Sequence, residues 1–263
     1  QLAARYAYQG GSLDHGSGEG TLAAVFCAAL ESAAFVESDL RALIDIGLSY
    51  IPAESGVARA AQAAIAARDA GKTWREARDT ILENFRGSSF GGLPEHTAPA
   101  DREKGFDQGK RGWDVPSNIG LLVLALLYGE GDFGETVCTA VNCGEDTDCT
   151  GATAGAIFGI LRGYRAIPRR WVEPIGSKIK TACLNLGELG YFGNQLPQDV
   201  EEMTRRTEAV ARQVLARFRP ALQISDAPTD PRGGDAALQR RARHVDQLAP
   251  DPRPVGQVLD VAR

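Results

Sequence analysis

Apolar residues recur along this chain every three or four positions, the period of an α-helix, and runs that alternate every second residue are nearly absent. Residues 22–34 (LAAVFCAALESAA) are apolar almost all round, which predicts a helix buried on most of its surface. Ser38 is the predicted start of a second helix, on which Leu40, Leu43, Ile44 and Leu48 share one face. Residues 57–70 are rich in alanine, the best helix former, and Gly71 follows where a helix would end. Thr73 and Glu76 have the spacing of a capping box ahead of TWREARDTILENF.

Residues 86–116 break the pattern with turn formers and single aromatics, and a loop of that length is expected to carry function or to lack fixed structure. Residues 118–128 (NIGLLVLALLY) predict a buried helix, and Asp132 with Glu135 predicts the cap of the next. After the turn CGEDTDCTG comes the helix ATAGAIFGILRG. A proline-started helix is expected in IPRRWVEPIGSKIKTACLN, then a long amphipathic one over residues 199–218. Residues 227–263 hold five prolines, clustered Asp and Arg, and few apolar positions. The expected organisation is therefore one helical domain over residues 1–220 and a proline-rich linker or disordered tail over 221–263. The expected fold class is all-α.

Composition narrows the function. With 263 residues and 43% hydrophobic content the chain can bury a full-sized core. The 29 basic and 34 acidic residues leave no basic stripe to neutralise a nucleic-acid backbone, which excludes that partner class. No apolar run reaches the ~20 residues that span a bilayer, and the N-terminus has no signal-peptide pattern, so the expected setting is cytoplasmic and away from membranes. Five cysteines without a C-x-x-C pair are expected to be reduced thiols. The chain begins with Gln1 in what reads as the middle of a helix, so an upstream segment is expected to be missing.

Candidate chemistry concentrates in residues 142–163. Asp146 and Asp148, two apart in a glycine-flanked turn before a helix, can face one hard cation. The same carboxylates could instead cap backbone N–H groups and complement the helix dipole. An EF-hand reading fails because its twelfth position is Ile157 rather than Glu. Gly151, Gly155, Gly159 and Gly163 repeat every four residues, which predicts a tightly packed central helix approached closely by a neighbour or a ligand.

The segment GEDTDCTGATAGAIFG resembles the G-[GEW]-D-T-D-[TC] signature of the ADP-ribosylglycohydrolase family, in its dinitrogenase-reductase-activating glycohydrolase-like form. The blocks SLDHGSGEGTLAAVFCAALESAAFVE, VPSNIGLLVLALLYGEGDF and IPRRWVEPIGSKI resemble that family's later helices, in the same order, from about residue 2 to 218. The family's G-D-[AS]-x-G, T-D-D-T-type and N-G-x-x-M-R segments are not present, so the expectation is the C-terminal part of the domain.

The resemblance implies an orthogonal multi-helix bundle holding two Mg²⁺ ions in a cleft. It also implies hydrolysis of the glycosidic bond between ADP-ribose and a protein side chain or related acceptor. Asp146 and Asp148 match metal carboxylates, and Cys149 stands where the family often has a threonine ligand, so that either the site loses a ligand or Thr150, carbonyls and water substitute for the unsuitable thiol. His15, Trp113, Asn118, Gly144 and Thr147 match positions expected to contact ADP-ribose, with a structural role for His15 and a packing role for the Trp113 turn as alternatives. No residue is assigned as general base. The rival expectation is a non-catalytic ADP-ribose-binding or scaffold member of the same fold, favoured by Cys149 and the absent motifs.

Overall fold

The computed structural model describes residues 1–14, 18–86, 99, 103, 114–179, 196–220 and 224. Among these the chain is all-α as expected, and the β structure is an isolated bridge between Lys178 and Asp199. The described residues form two compact units, within Gln1–Tyr164 and within Arg165–Asp230.

The first unit holds α1 (Leu2–Gly11), α2 (Glu19–Ala34), α3 (Leu40–Leu48), α4 (Gly56–Asp69), α5 (Trp74–Phe85), α6 (Val115–Tyr128), α7 (Phe133–Asn142) and α8 (Thr147–Arg162). Its centre is α6, which packs against α2, α3, α4, α5, α7 and α8. Every residue of α6 from Ile119 to Leu126 is buried, and each buried leucine contributes roughly 1.5–3 kcal/mol of transfer free energy. The alanines of α4 let that helix lie close to α6: a Cβ on Gly120 would stand 3.2 Å from both the Cβ and the carbonyl of Ala60.

Local signals place most boundaries. Thr73 and Glu76 form both halves of the capping box, and Asp132 caps α7 by accepting the Glu135 N–H at 2.9 Å. Gly71, at φ +71°, ends α4: its N–H reaches the Arg68 carbonyl and the Lys72 N–H reaches that of Ala67. Four expectations need correction. Asp39, not Ser38, caps α3, because its carboxylate accepts the Ala42 N–H at 2.8 Å. Helix α6 begins three residues before Asn118, with Asp114 as N-cap and Pro116 in its first turn, where a missing N–H costs nothing. Helix α2 begins at Glu19 rather than Leu22. The glycine-bearing helix, α8, is not the central one. Its buried positions are Thr150, Gly151, Ala154, Ile157 and Phe158, and a Cβ on Gly159 would meet nothing within 4 Å, while Gly163 at φ +76° ends the helix.

The second unit holds the short α9 (Arg169–Val172), which Pro168 precedes, and α10 (Val200–Phe218), capped where Asp199 accepts the Glu202 N–H at 2.8 Å. The proline-started helix is thus a single turn, with Glu173 as its C-cap. Among the described residues no helix is long and apolar enough to cross a membrane. The tail over 221–263 lies outside the described residues except for Ile224.

Candidate metal centre at the start of the eighth helix

Helix N-termini gather at one end of the first unit. Glu19, the first residue of α2, accepts the N–H groups of Gly56 and Val57 at the start of α4, both at 2.9 Å. A Cβ on Gly56 would lie 3.0 Å from Pro116, in the first turn of α6. From that same turn Asn118 Oδ1 accepts the backbone N–H of Asp146, the N-cap of α8, at 3.1 Å. The aligned peptide dipoles of these helices make such a place favourable for negative charge.

Asp146, Asp148 and Cys149 come together here, their ligand atoms all within 4.8 Å of one another. Asp146 is half-buried and the other two are exposed. Its carboxylate makes no capping bond to the helix it precedes, so the plain capping role weighed from sequence is not the one it plays. Two carboxylates in open reach of each other suit a hard divalent cation. The thiol does not: its hydrogen bond to the Asp146 carboxylate, then burial and the charges of Asp146 and Asp148, hold Cys149 above the usual thiol range, so it keeps its proton. The Thr150 hydroxyl is buried and donates to the Asp146 carbonyl at 3.1 Å.

The loop before α8 is held from two other helices. Arg78 of α5 donates from Nε to the Cys143 carbonyl at 2.6 Å. Gly144 and Glu145 both take left-handed backbone, φ +82° and +62°, natural for the first and costly for the second. The Glu145 side chain is only 2% exposed and meets Arg86 Nε at 2.8 Å. Its other oxygen, Oε2, is buried without a hydrogen-bond partner. Burial pushes the Glu145 carboxyl up, Arg86 opposes that, the buried Asp114 reinforces it and Arg78 opposes it.

The remaining sequence candidates are distributed as follows. Gly144 lies in the same loop and Thr147 is the first residue of α8, its N–H bonded to the Glu145 carbonyl at 3.0 Å. Both ends of the Asn118 amide are engaged, Oδ1 by Asp146 and Nδ2 on the Asp114 carbonyl at 3.0 Å. His15 and Trp113 lie outside the described residues. Sequence reasoning missed Arg78, Arg86, Glu145, Asp114 and Glu19. Glu145 had a signal, since it lies inside the GEDTDC turn, but nothing local says that it turns inward while its neighbours face solvent.

Comparison with known proteins finds a family model described as ADP-ribosylglycohydrolase, matching residues 1–219. The match begins at the first residue, so the expectation of only the C-terminal part of the domain is not borne out. No curated protein and no solved structure matches the chain.

Proposed function

Because the chain belongs to the ADP-ribosylglycohydrolase family, hydrolase-like enzymes acting on ADP-ribose linkages, we propose that it hydrolyses the bond from ADP-ribose to a protein side chain or related acceptor, with Mg²⁺ as cofactor. The observation that carries this reading is the convergence of Asp146 and Asp148 at the start of α8. Cleaving a glycosidic bond builds positive charge at the anomeric carbon while the leaving group takes a proton, so an attacking water must be held against that carbon. A Mg²⁺ ion between Asp146 and Asp148 would supply charge and orientation for the ribose hydroxyls and that water.

The chain's own residues do the rest. Asp146 and Asp148 would hold the cation, and Cys149 keeps its proton in a hydrogen bond to Asp146 rather than ligating. Asn118 fixes the backbone of Asp146, and the helix N-termini gathered beside the loop favour the anionic diphosphate. Gly144 and Thr147 shape the loop against the substrate, with His15 and Trp113 as further substrate contacts. The proposed substrate is an ADP-ribosylated protein or ADP-ribose derivative, and the proposed setting is the cytoplasm, where the four free cysteines described would stay reduced.

Cys149 favours a second reading, a binder of ADP-ribose that does not turn it over. Calorimetric titration of Mg²⁺ and then ADP-ribose, with Asp146→Asn/Asp148→Asn in parallel, tests the site. Metal-dependent binding lost in the double variant supports it, and equal binding by both proteins overturns it. Release of free ADP-ribose from an ADP-ribosylated protein separates the two readings: a chain that binds ADP-ribose and releases none is the binder.

A further inference from the structure

Glu145 is turned away from the solvent that its neighbours Asp148 and Cys149 face, and its surroundings are costly. A glutamate at φ +62° is in a conformation that favours glycine, and the residue before it, Gly144, is already left-handed. Such backbone persists only where the surrounding structure over-determines it. Here the loop is gripped at Cys143 by Arg78, at Asp146 by Asn118 and at Glu145 by Arg86. The last grip is a charge contact at 2.8 Å rather than an aligned hydrogen bond, and it leaves Glu145 Oε2 buried with no hydrogen-bond partner. A buried carboxylate oxygen without a partner works against stability. A glutamine would give up less, and a glycine would relieve the backbone.

We propose that Glu145 is a positioning residue for the metal centre: clamped by Arg86 beneath the loop, it holds the left-handed turn that sets Asp146 and Asp148 on one cation. The clamp ties the C-terminal end of α5 to the residue before the N-cap of α8, so the two carboxylates at the start of that helix are fixed before any ion arrives. Groups behind first ligands that fix their orientation change metal affinity about 10–100-fold when removed. The proposal rests on the reading of Asp146 and Asp148 as cation ligands, and it adds that their affinity for the ion is set by a pair that does not touch it.

The test uses the full chain with Glu145→Gln, Arg86→Gln, the double variant and Glu145→Gly. Two quantities are measured: the Mg²⁺ dissociation constant by calorimetry, and the thermal midpoint in chelator without metal. Glu145→Gln and Arg86→Gln are each expected to weaken Mg²⁺ binding roughly tenfold, with the double variant no weaker than the worse single. The metal-free midpoint of Glu145→Gln is expected to stay level or rise. Glu145→Gly, which relieves the backbone, is expected to fold at least as stably and still to bind Mg²⁺ more weakly. A residue that merely supports the fold would instead lower the metal-free midpoint and leave the affinity of the folded chain unchanged, and that result overturns the proposal. If the parent chain itself binds no Mg²⁺, the cation reading of Asp146 and Asp148 falls and the proposal with it. If the parent binds and all variants bind equally, only the role of Glu145 falls.

Discussion

Asn118 Oδ1 accepts the backbone N–H of Asp146 at 3.1 Å, while Asn118 Nδ2 donates to the carbonyl of Asp114, the N-cap of its own helix. One side-chain amide therefore joins the start of α6, the centre of the core, to the start of α8, which carries the carboxylates. Replacing it with alanine leaves a half-buried N–H without its acceptor and frees the metal loop. Asn118→Ala is expected to cost about 1–2 kcal/mol, read from a urea unfolding midpoint, and to weaken Mg²⁺ binding in calorimetry. An unchanged Mg²⁺ constant would show that Asp146 does not need this anchor.

Cys149 keeps its proton beside Asp146, where Mg²⁺ would be better served by a hard oxygen. Cys149→Thr is expected to tighten Mg²⁺ binding by up to about tenfold, or ~1.4 kcal/mol, and Cys149→Ala to leave it near the parent value. Equal constants for the threonine and alanine variants would rule out position 149 as a ligand place.

Glycines on this scaffold differ sharply in what they tolerate. A Cβ on Gly129 would sit 2.0 Å from Thr136 Oγ1 and 2.7 Å from its Cα, so α6 and α7 would have to separate. Gly129→Ala is expected to destabilise by about 3 kcal/mol. Gly159→Ala, into open space within α8, is expected to stabilise by about 0.5–1 kcal/mol. Chemical denaturation of the pair checks both signs, and a destabilising Gly159→Ala would mean that the glycine stripe of α8 is covered along its full length.

Burial raises the Glu31 carboxyl on α2, and its charge helps burial push the nearby Cys27 thiol up to about 12. A carboxyl raised in the fold holds its proton more tightly there than in the unfolded chain. Its stabilising contribution is therefore complete below the ordinary glutamate range, about pH 4, and is lost as pH rises through the folded value. At pH 7 the charge is a burden. Glu31→Gln is expected to raise the thermal midpoint at pH 7 and to lose that advantage at acid pH. A gain of equal size at both pH values would assign the effect to packing rather than to charge.

Helices, caps and the metal turn were legible to different depths. The capping box of Thr73 and Glu76 and the cap at Asp132 are contacts between residues three apart, so the chain states them locally. Ser38 and Asp39 show the limit: adjacent residues both suited to capping, between which only the backbone path into α3 chooses. Asp146 and Asp148 could be found because they are two apart at a helix start. Arg86 and Glu145 could not be paired, because α6 and α7 lie between them in the chain.

By itself the sequence determined an all-α protein, the family resemblance, the positions of most helices and the two carboxylates most suited to a cation. These follow from periodicity, capping and spacing, which act over a few residues. Only the tertiary structure decided that α6 rather than the glycine-bearing α8 forms the centre, that the Thr150 hydroxyl is buried against the Asp146 carbonyl, and that Glu145 turns inward onto Arg86. Those outcomes depend on which distant side chains compete for the same buried space, and that competition exists only once the helices have packed.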